Sequence, residues 1–242
     1  MTNTLLANIH ELVLAIFTLQ SIEGVRKING GSDYNTDDFS VINGFFVEGF
    51  EGQEHIEDYS EDKEKKKQRT VINERIGEYV SELRVFCKIL KSKNDSRINH
   101  YAKIKFLQAI KSAQDTVEYF GNENREPKIP EIWGEDYLGG SYEIVDCGWS
   151  NISSKFMKFV QHYYDLKGSR DQCPVKSHYA NPSDVLYILR NLKTKELILL
   201  GGSAKATFSD DSIGIYNGGL CSFVKIVCER NDLAEKDKLC IP

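Results

Sequence analysis

Val185-Leu186-Tyr187-Ile188-Leu189 and Leu197-Ile198-Leu199-Leu200 are two unbroken apolar runs with only a short polar segment, residues 191–195, between them. Apolar runs without polar alternation suit strands buried on both faces, and a short polar connection makes the pair an antiparallel hairpin. The flanking sequence supplies elements to cover it. Residues 142–147 read as a short strand. Residues 151–165 read as a helix with Phe156, Phe159 and Val160 inward, ending near Gly168, and a last helix is expected over 220–230 after Asn217-Gly218-Gly219.

The N-terminal half has a different texture. Leu5, Leu6, Ile9, Leu12, Val13 and Ile16 recur every three or four residues, which predicts a helix with one apolar face. A second stripe is Ile72, Ile76, Tyr79, Val80, Leu83, Cys87 and Leu90. A third is Ile98, Tyr101, Ile104, Leu107, Ile110, Val117 and Phe120, with Ser96 as its cap and Gly121 at its end. Residues 28–69, with Asn29-Gly30-Gly31-Ser32 and an acidic block leading into Lys63-Glu64-Lys65-Lys66-Lys67, read as a charged, solvated loop or helix end. Pro127 and Pro130 mark a boundary. The chain therefore divides into a helical region, 1–125, and an α/β region, 126–242. The expected fold class is α/β (α+β): an N-terminal helical part packed on a C-terminal mixed sheet flanked by helices.

Composition narrows the class. With 242 residues, 40% hydrophobic and 28% charged, the chain is neither disordered, collagen-like nor a disulfide-stapled miniprotein. Its six cysteines form no C-x-x-C pair, no basic segment precedes the first apolar stretch, and no apolar run reaches the roughly 20 residues of a membrane span. A reduced, cytoplasmic (intracellular) protein with no membrane partner is expected. Charge is segregated. Between residues 150 and 208 nine basic side chains stand against four acidic ones, although the whole chain carries −5. The basic part coincides with the hairpin.

Centring the turn near Lys193 puts Asp184, which opens the first strand, opposite Gly202 or Ser203, and alternation puts Ser203 and Lys205 on one face. Asp184 and Lys205 then converge at the hairpin's open end. Two explanations fit: a structural ion pair at a sheet end, or a metal-binding carboxylate with a lysine that positions or activates water.

Pro182-Ser183-Asp184, an apolar strand, a turn, a second strand and Ser203-Ala204-Lys205 together resemble the core of the PD-(D/E)XK nuclease superfamily, which includes type II restriction endonucleases. The resemblance covers roughly residues 142–232. It implies a restriction-endonuclease-like core and a Mg2+-dependent DNA endonuclease, working as a homodimer on double-stranded DNA. By the same resemblance Asp184 is a metal ligand, and Lys205, with Ser203 beside it, is catalytic. Gly202 would admit a nucleic-acid backbone. Ser203 departs from the family's second acid and cannot replace a carboxylate on Mg2+. The missing ligand is then sought among Asp210, Asp211 and Glu229, with Asp211 nearest downstream. Tyr163, Tyr164, Lys167, Arg170, Lys176 and Tyr179 mix aromatic and basic groups. They read either as a nucleic-acid-contacting segment, through Lys167, Arg170 and Lys176, or as a packed helix end with a solvated loop.

Other signals are weaker. Gly201-Gly202-Ser203-Ala204-Lys205 lacks the spacing of a phosphate-binding loop, and Gly214-Ile215-Tyr216 lacks the second half of a GIY-YIG pattern. Cys173 with His178 and His162 reads as a loop cysteine with surface histidines, and the five histidines are too scattered for zinc. The alternative to a nuclease is a non-enzymatic nucleic-acid-binding or structural protein, viral or phage-encoded, with the same α/β body.

Overall fold

The computed structural model describes residues 2–25, 27–28, 53–54, 62–122, 141–150, 153–169, 183–202 and 204. They fall into two compact units, one up to Val117 and one from Glu118 onward. The dividing point lies in the last turn of a helix; the expected boundary at 125/126 lies outside the described residues.

The first unit is helical. Helix α1 (Thr2–Gln20) is buried on every side from Ile9 to Gln20, not along one face, and His10, Glu11, Thr18 and Gln20 are buried with it. An α-helix that is apolar nearly all round belongs inside its unit. The Phe17 ring meets Phe106 edge-on at 6.3 Å, and His10 Nδ1 lies 3.0 Å from the Lys105 carbonyl. A two-residue antiparallel ladder pairs β1 (Lys27–Ile28) with β2 (Gln53–Glu54).

Helix α2 (Lys63–Ser92) starts inside the charged segment read as a solvated loop or helix end, so its lysine-rich part is the helix end and the loop stops before residue 69. The helix start has a local cause. Asp62 caps the helix by accepting from the Glu64 and Lys65 amides at 3.0 and 3.3 Å, and the Lys/Glu-rich turns that follow have high helix propensity. They stay exposed and so carry no apolar period. Farther on, the buried stripe is the expected one, from Ile72 to Leu90.

Helix α3 (Ser96–Gly121) has the expected span, and of the expected stripe Ile110 and Phe120 are buried. Its buried positions are Ala102, Lys105, Phe106, Ala109, Ile110, Ser112, Ala113, Thr116 and Phe120, while Tyr101 is exposed. The buried stripe combines Phe106, Ile110 and Phe120 with three alanines, while Ile104, Leu107 and Val117 of the expected stripe are half-buried. The cap also moves by one residue. Asp95 accepts from Arg97 and Ile98 amides at 2.9 and 3.2 Å, so Ser96 is the first helical residue.

The second unit is built on a three-stranded sheet of order β3-β4-β5, formed by β3 (Tyr142–Trp149), β4 (Val185–Asn191) and β5 (Leu197–Gly202). The described strands are antiparallel throughout, where the sequence reading expects a mixed sheet. The hairpin pairs Val185 with Gly202 and Arg190 with Leu197. Its turn is set by Asn191, whose Oδ1 accepts from the Lys193 and Thr194 amides at 2.8 and 2.9 Å, while Lys195 takes φ 63° to close it.

Helix α4 (Ser153–Leu166) covers one face of this sheet. Phe156, Phe159, Val160 and Tyr163 pack with Val145, Leu186, Ile188 and Leu199. Gly168, at φ 66°, ends the helix with Gly168 N–H to Asp165 O and Ser169 N–H to Tyr164 O, the paired bonds of a Schellman motif. On the other sheet face the Phe120 ring lies 6.1 Å from that of Tyr187. The expected helix at 220–230 lies outside the described residues.

Close packing of α4 depends on Gly148. A Cβ there would lie 2.5 Å from Phe159 Cδ2, so even alanine must displace the ring. Gly148→Ala is expected to destabilise the second unit by about 1–3 kcal/mol, the usual cost of overpacking. Thermal denaturation followed by circular dichroism measures it; an unchanged midpoint would mean that Phe159 has room to move.

Candidate functional site

Asp184 precedes the first residue of β4, where three backbone contacts fix it. Its N–H donates to Gly202 O at 2.9 Å, its C=O accepts from Ser150 N–H at 3.0 Å, and its carboxylate Oδ2 accepts from Ala204 N–H at 2.8 Å. The end of β3, the start of β4 and the chain just past β5 therefore meet at one half-buried carboxylate. Strand alternation places Asp184 on the α4 side with Leu186 and Ile188. Gly202 is brought to Asp184, and its packing is tight: a Cβ would lie 3.0 Å from Tyr187 Cε2 and 3.3 Å from Val185 Cγ2, so either side chain would have to give slightly.

The other residues of the sequence-based site separate into two groups. Ser203, Lys205, Asp211, Glu229, Arg170 and Lys176 lie outside the described residues. Lys167 is described, and it sits at the other end of the hairpin. Its Nζ lies 3.3 Å from the Tyr163 hydroxyl and 5.3 Å from the centre of that ring. Tyr163 in turn donates to Leu197 O at 3.2 Å. Leu197 opens β5 and Gly202 closes it, a separation of about 17 Å at strand rise. Lys167 and Asp184 do not share a site.

Burial, and secondarily the Glu196 carboxylate, pushes the Tyr163 phenol up to about 12. A phenol that holds its proton more tightly when folded stabilises the fold fully below its unfolded value of about 10 and loses that contribution as pH rises through the folded value. The second unit is therefore expected to lose stability between pH 10 and 12, and Tyr163→Phe to lose less over the same range. Denaturation midpoints of both proteins at pH 9, 10 and 11 test this; parallel declines would exclude Tyr163 as the cause.

The structure also assembles a pair that sequence reading passed over. Asp146 is fully buried in β3, with its Oδ2 3.4 Å from His162 Nε2 on α4 and its Oδ1 accepting from Cys147 N–H at 2.8 Å. His162 has a side chain only 16% exposed, so its reading as a surface histidine is corrected. A β-bulge creates the pair. The register of β3 on β4 shifts between Ile144 and Asp146, so Val145 is inserted without a partner. Alternation from Glu143 would send Asp146 to the face opposite α4. The bulge turns Val145 and Asp146 to the same side, which is how such insertions re-aim a side chain. One signal was visible: a carboxylate inside an apolar strand requires a partner, and His162 adjoins the inward Phe159 and Tyr163 on α4.

Removing one partner of a buried pair strands the other. His162→Leu is therefore expected to cost about 3 kcal/mol, and the double variant His162→Leu/Asp146→Leu to recover most of it. Urea denaturation of both variants decides: a double variant no more stable than the single one would show that the loss comes from packing and not from a stranded charge.

Among the described residues no three His, Cys, Asp or Glu side chains form a group able to hold a metal ion, and no helix is long and apolar enough to cross a membrane. Cys87 is buried, which pushes its thiol up to about 12 and removes it as a nucleophile at neutral pH. Comparison with known proteins finds no matching family model, no matching curated protein and no matching solved structure.

Proposed function

We propose that the chain is a Mg2+-dependent endonuclease acting on double-stranded DNA as a homodimer, with its hydrolytic centre at the open end of the β4–β5 hairpin. The observation that carries this reading is the hydrogen bond from Ala204 N–H to Asp184 Oδ2. It ties the carboxylate that opens β4 to the residue lying between Ser203 and Lys205, the spatial relation that the nuclease resemblance requires. The basic balance of residues 150–208 adds support for a polyanionic substrate.

The donor set fits the metal in part. Mg2+ takes one or two carboxylates and otherwise water and substrate phosphate. An ionised carboxylate has about four acceptor positions, and Ala204 occupies one of those on Asp184. The further acid would be Asp211 or Glu229. When bound, the metal would polarise the phosphate and acidify the attacking water. Asp184 would hold it, and Lys205 would place its ammonium against the charge that builds on the phosphate.

The second reading is a non-enzymatic protein in which Asp184 is a structural cap. It is favoured by the same hydrogen bond, which gives the carboxylate a complete role in closing the hairpin end.

Plasmid incubated with Mg2+, against an EDTA control, separates the two. Asp184→Asn is expected to abolish Mg2+-dependent cleavage and leave stability nearly unchanged, because the Asn oxygen still accepts from Ala204. Lys205→Ala is expected to slow cleavage by about 10²–10³, the usual weight of one electrostatic donor. Full cleavage by Asp184→Asn would overturn the metal assignment. No cleavage by the wild type, together with an Asp184→Ala variant that melts earlier, would establish the cap.

A further inference from the structure

Asp146 and His162 join the middle of β3 to α4 by a contact whose strength depends on charge. The facing atoms, Asp146 Oδ2 and His162 Nε2, lie 3.4 Å apart, and both are shielded from solvent. That separation is long for a hydrogen bond from a neutral ring, whereas ions at the same distance attract strongly where water is excluded. The imidazole as a whole keeps an opening to solvent, with 16% of its side chain exposed, so a proton can enter and leave without unfolding. His162 also stands one turn before the C-terminal end of α4, where the helix dipole favours a cation.

Other charges around the ring are offset or distant. On α4, Lys158 stands one turn before His162 and Asp165 one turn after; both are exposed, so water screens them, and their signs oppose. Lys155, two turns before, lies over the Trp149 ring at 5.5 Å. On β3, Glu143 is paired with Arg190 of β4. The other residues of β4 and β5 packed against α4, Leu186, Ile188, Leu197 and Leu199, are apolar. Asp184 stands four residues along β4 from Ile188, the partner of Asp146, about 13 Å away at strand rise. Asp146 is the charge that touches the ring.

We propose that the Asp146–His162 pair is a pH-sensitive latch that holds α4 on β3 and closes when His162 takes up a proton. It is independent of the nuclease reading. A protonated ring meets a carboxylate in a dry contact; a neutral ring does much less to offset that carboxylate's burial. Proton uptake is therefore tighter in the closed state than in the open one. By linkage the latch holds fully below about 6.5, the ordinary histidine value, and is released as pH rises through the higher value of the closed state. Among the described residues of the second unit His162 is the one histidine, the side chain whose ordinary titration falls in this range. Tyr163, pushed up to about 12, lies outside it.

Two measurements on the full chain test this. Heteronuclear NMR follows the His162 ring, which is expected to titrate about one pH unit above its value in the urea-unfolded chain and to lose that offset in Asp146→Asn. Hydrogen exchange, corrected for the pH dependence of the intrinsic rate, follows the Phe159 and Tyr163 amides of α4. Their opening is expected to increase about fivefold to tenfold between pH 6 and 8.5, the equivalent of one unit, while the Leu186 and Ile188 amides of β4 change less. His162→Gln keeps a polar side chain that does not titrate, and it is expected to abolish the pH dependence even if Asp146→Asn fails to fold. A wild-type ring that titrates at or below its unfolded value would overturn the proposal. So would α4 opening that keeps its pH dependence in His162→Gln, or an equal change at Leu186 and Ile188, which would mean that the unit opens as a whole.

Discussion

Burial of β4 on both faces is the constraint from which the second unit follows. Leu186 and Ile188 face α4, and Val185, Tyr187 and Leu189 face the other way; all five are buried. A strand of this kind has no solvent face, so neither neighbour can slip by one residue without exchanging its entire set of packed side chains. Register on β5 is fixed by the Asn191 turn together with apolar packing, and Val185 and Tyr187 lie close over Gly202. Once that register is set, the end of β5 must arrive beside the start of β4. The place of Asp184 next to Gly202 and Ala204 is a consequence of core packing several residues away.

The register of β3 carries a different burden. Gly148 must lie under Phe159, and Glu143 must pair with Arg190 at the opposite end of the same face. Simple alternation cannot satisfy both, because the two positions differ by an odd number of residues. The bulge at Val145 resolves the conflict and, in doing so, turns a carboxylate into the core. Asp146 is tolerated because His162 lies against one oxygen and Cys147 N–H donates to the other. Well-packed apolar residues commonly match or exceed the stability of such a pair, so its contribution to uniqueness is the more natural one.

What could be read from the chain beforehand followed the strength of its periodic signals. The hairpin was legible because its runs are long and its turn short, and the stripe of α2 because large apolar residues mark it without interruption. The face of α3 was read only in part, because Ala102, Ala109 and Ala113 share the buried stripe with Phe106, Ile110 and Phe120 and carry little weight in a hydrophobic pattern. Its cap was misread because Asp95 and Ser96 are both good capping residues, and only geometry chooses between them. The Asp146–His162 pair was out of reach for another reason. A bulge changes the parity of a strand, and no alternation rule anticipates where an extra residue will be inserted. Asp184 was legible as a strand-opening residue. Its bond to Ala204 required the register.

The two ends of the β4–β5 hairpin differ in chemistry as well as position. One end holds Asp184, clasped by backbone groups from both neighbouring strands. The other holds Lys167 against Tyr163, with Lys193 and Lys195 exposed in the turn. About 17 Å of strand separates them. A small phosphate ester cannot touch both. A nucleic-acid duplex, with one charge per roughly 1.7 Å of its axis, can lie across that distance and meet lysines at one end while a phosphodiester sits at the other. The two groups could act together only on a ligand long enough to span that distance. The same separation keeps the turn lysines from neutralising Asp184 directly.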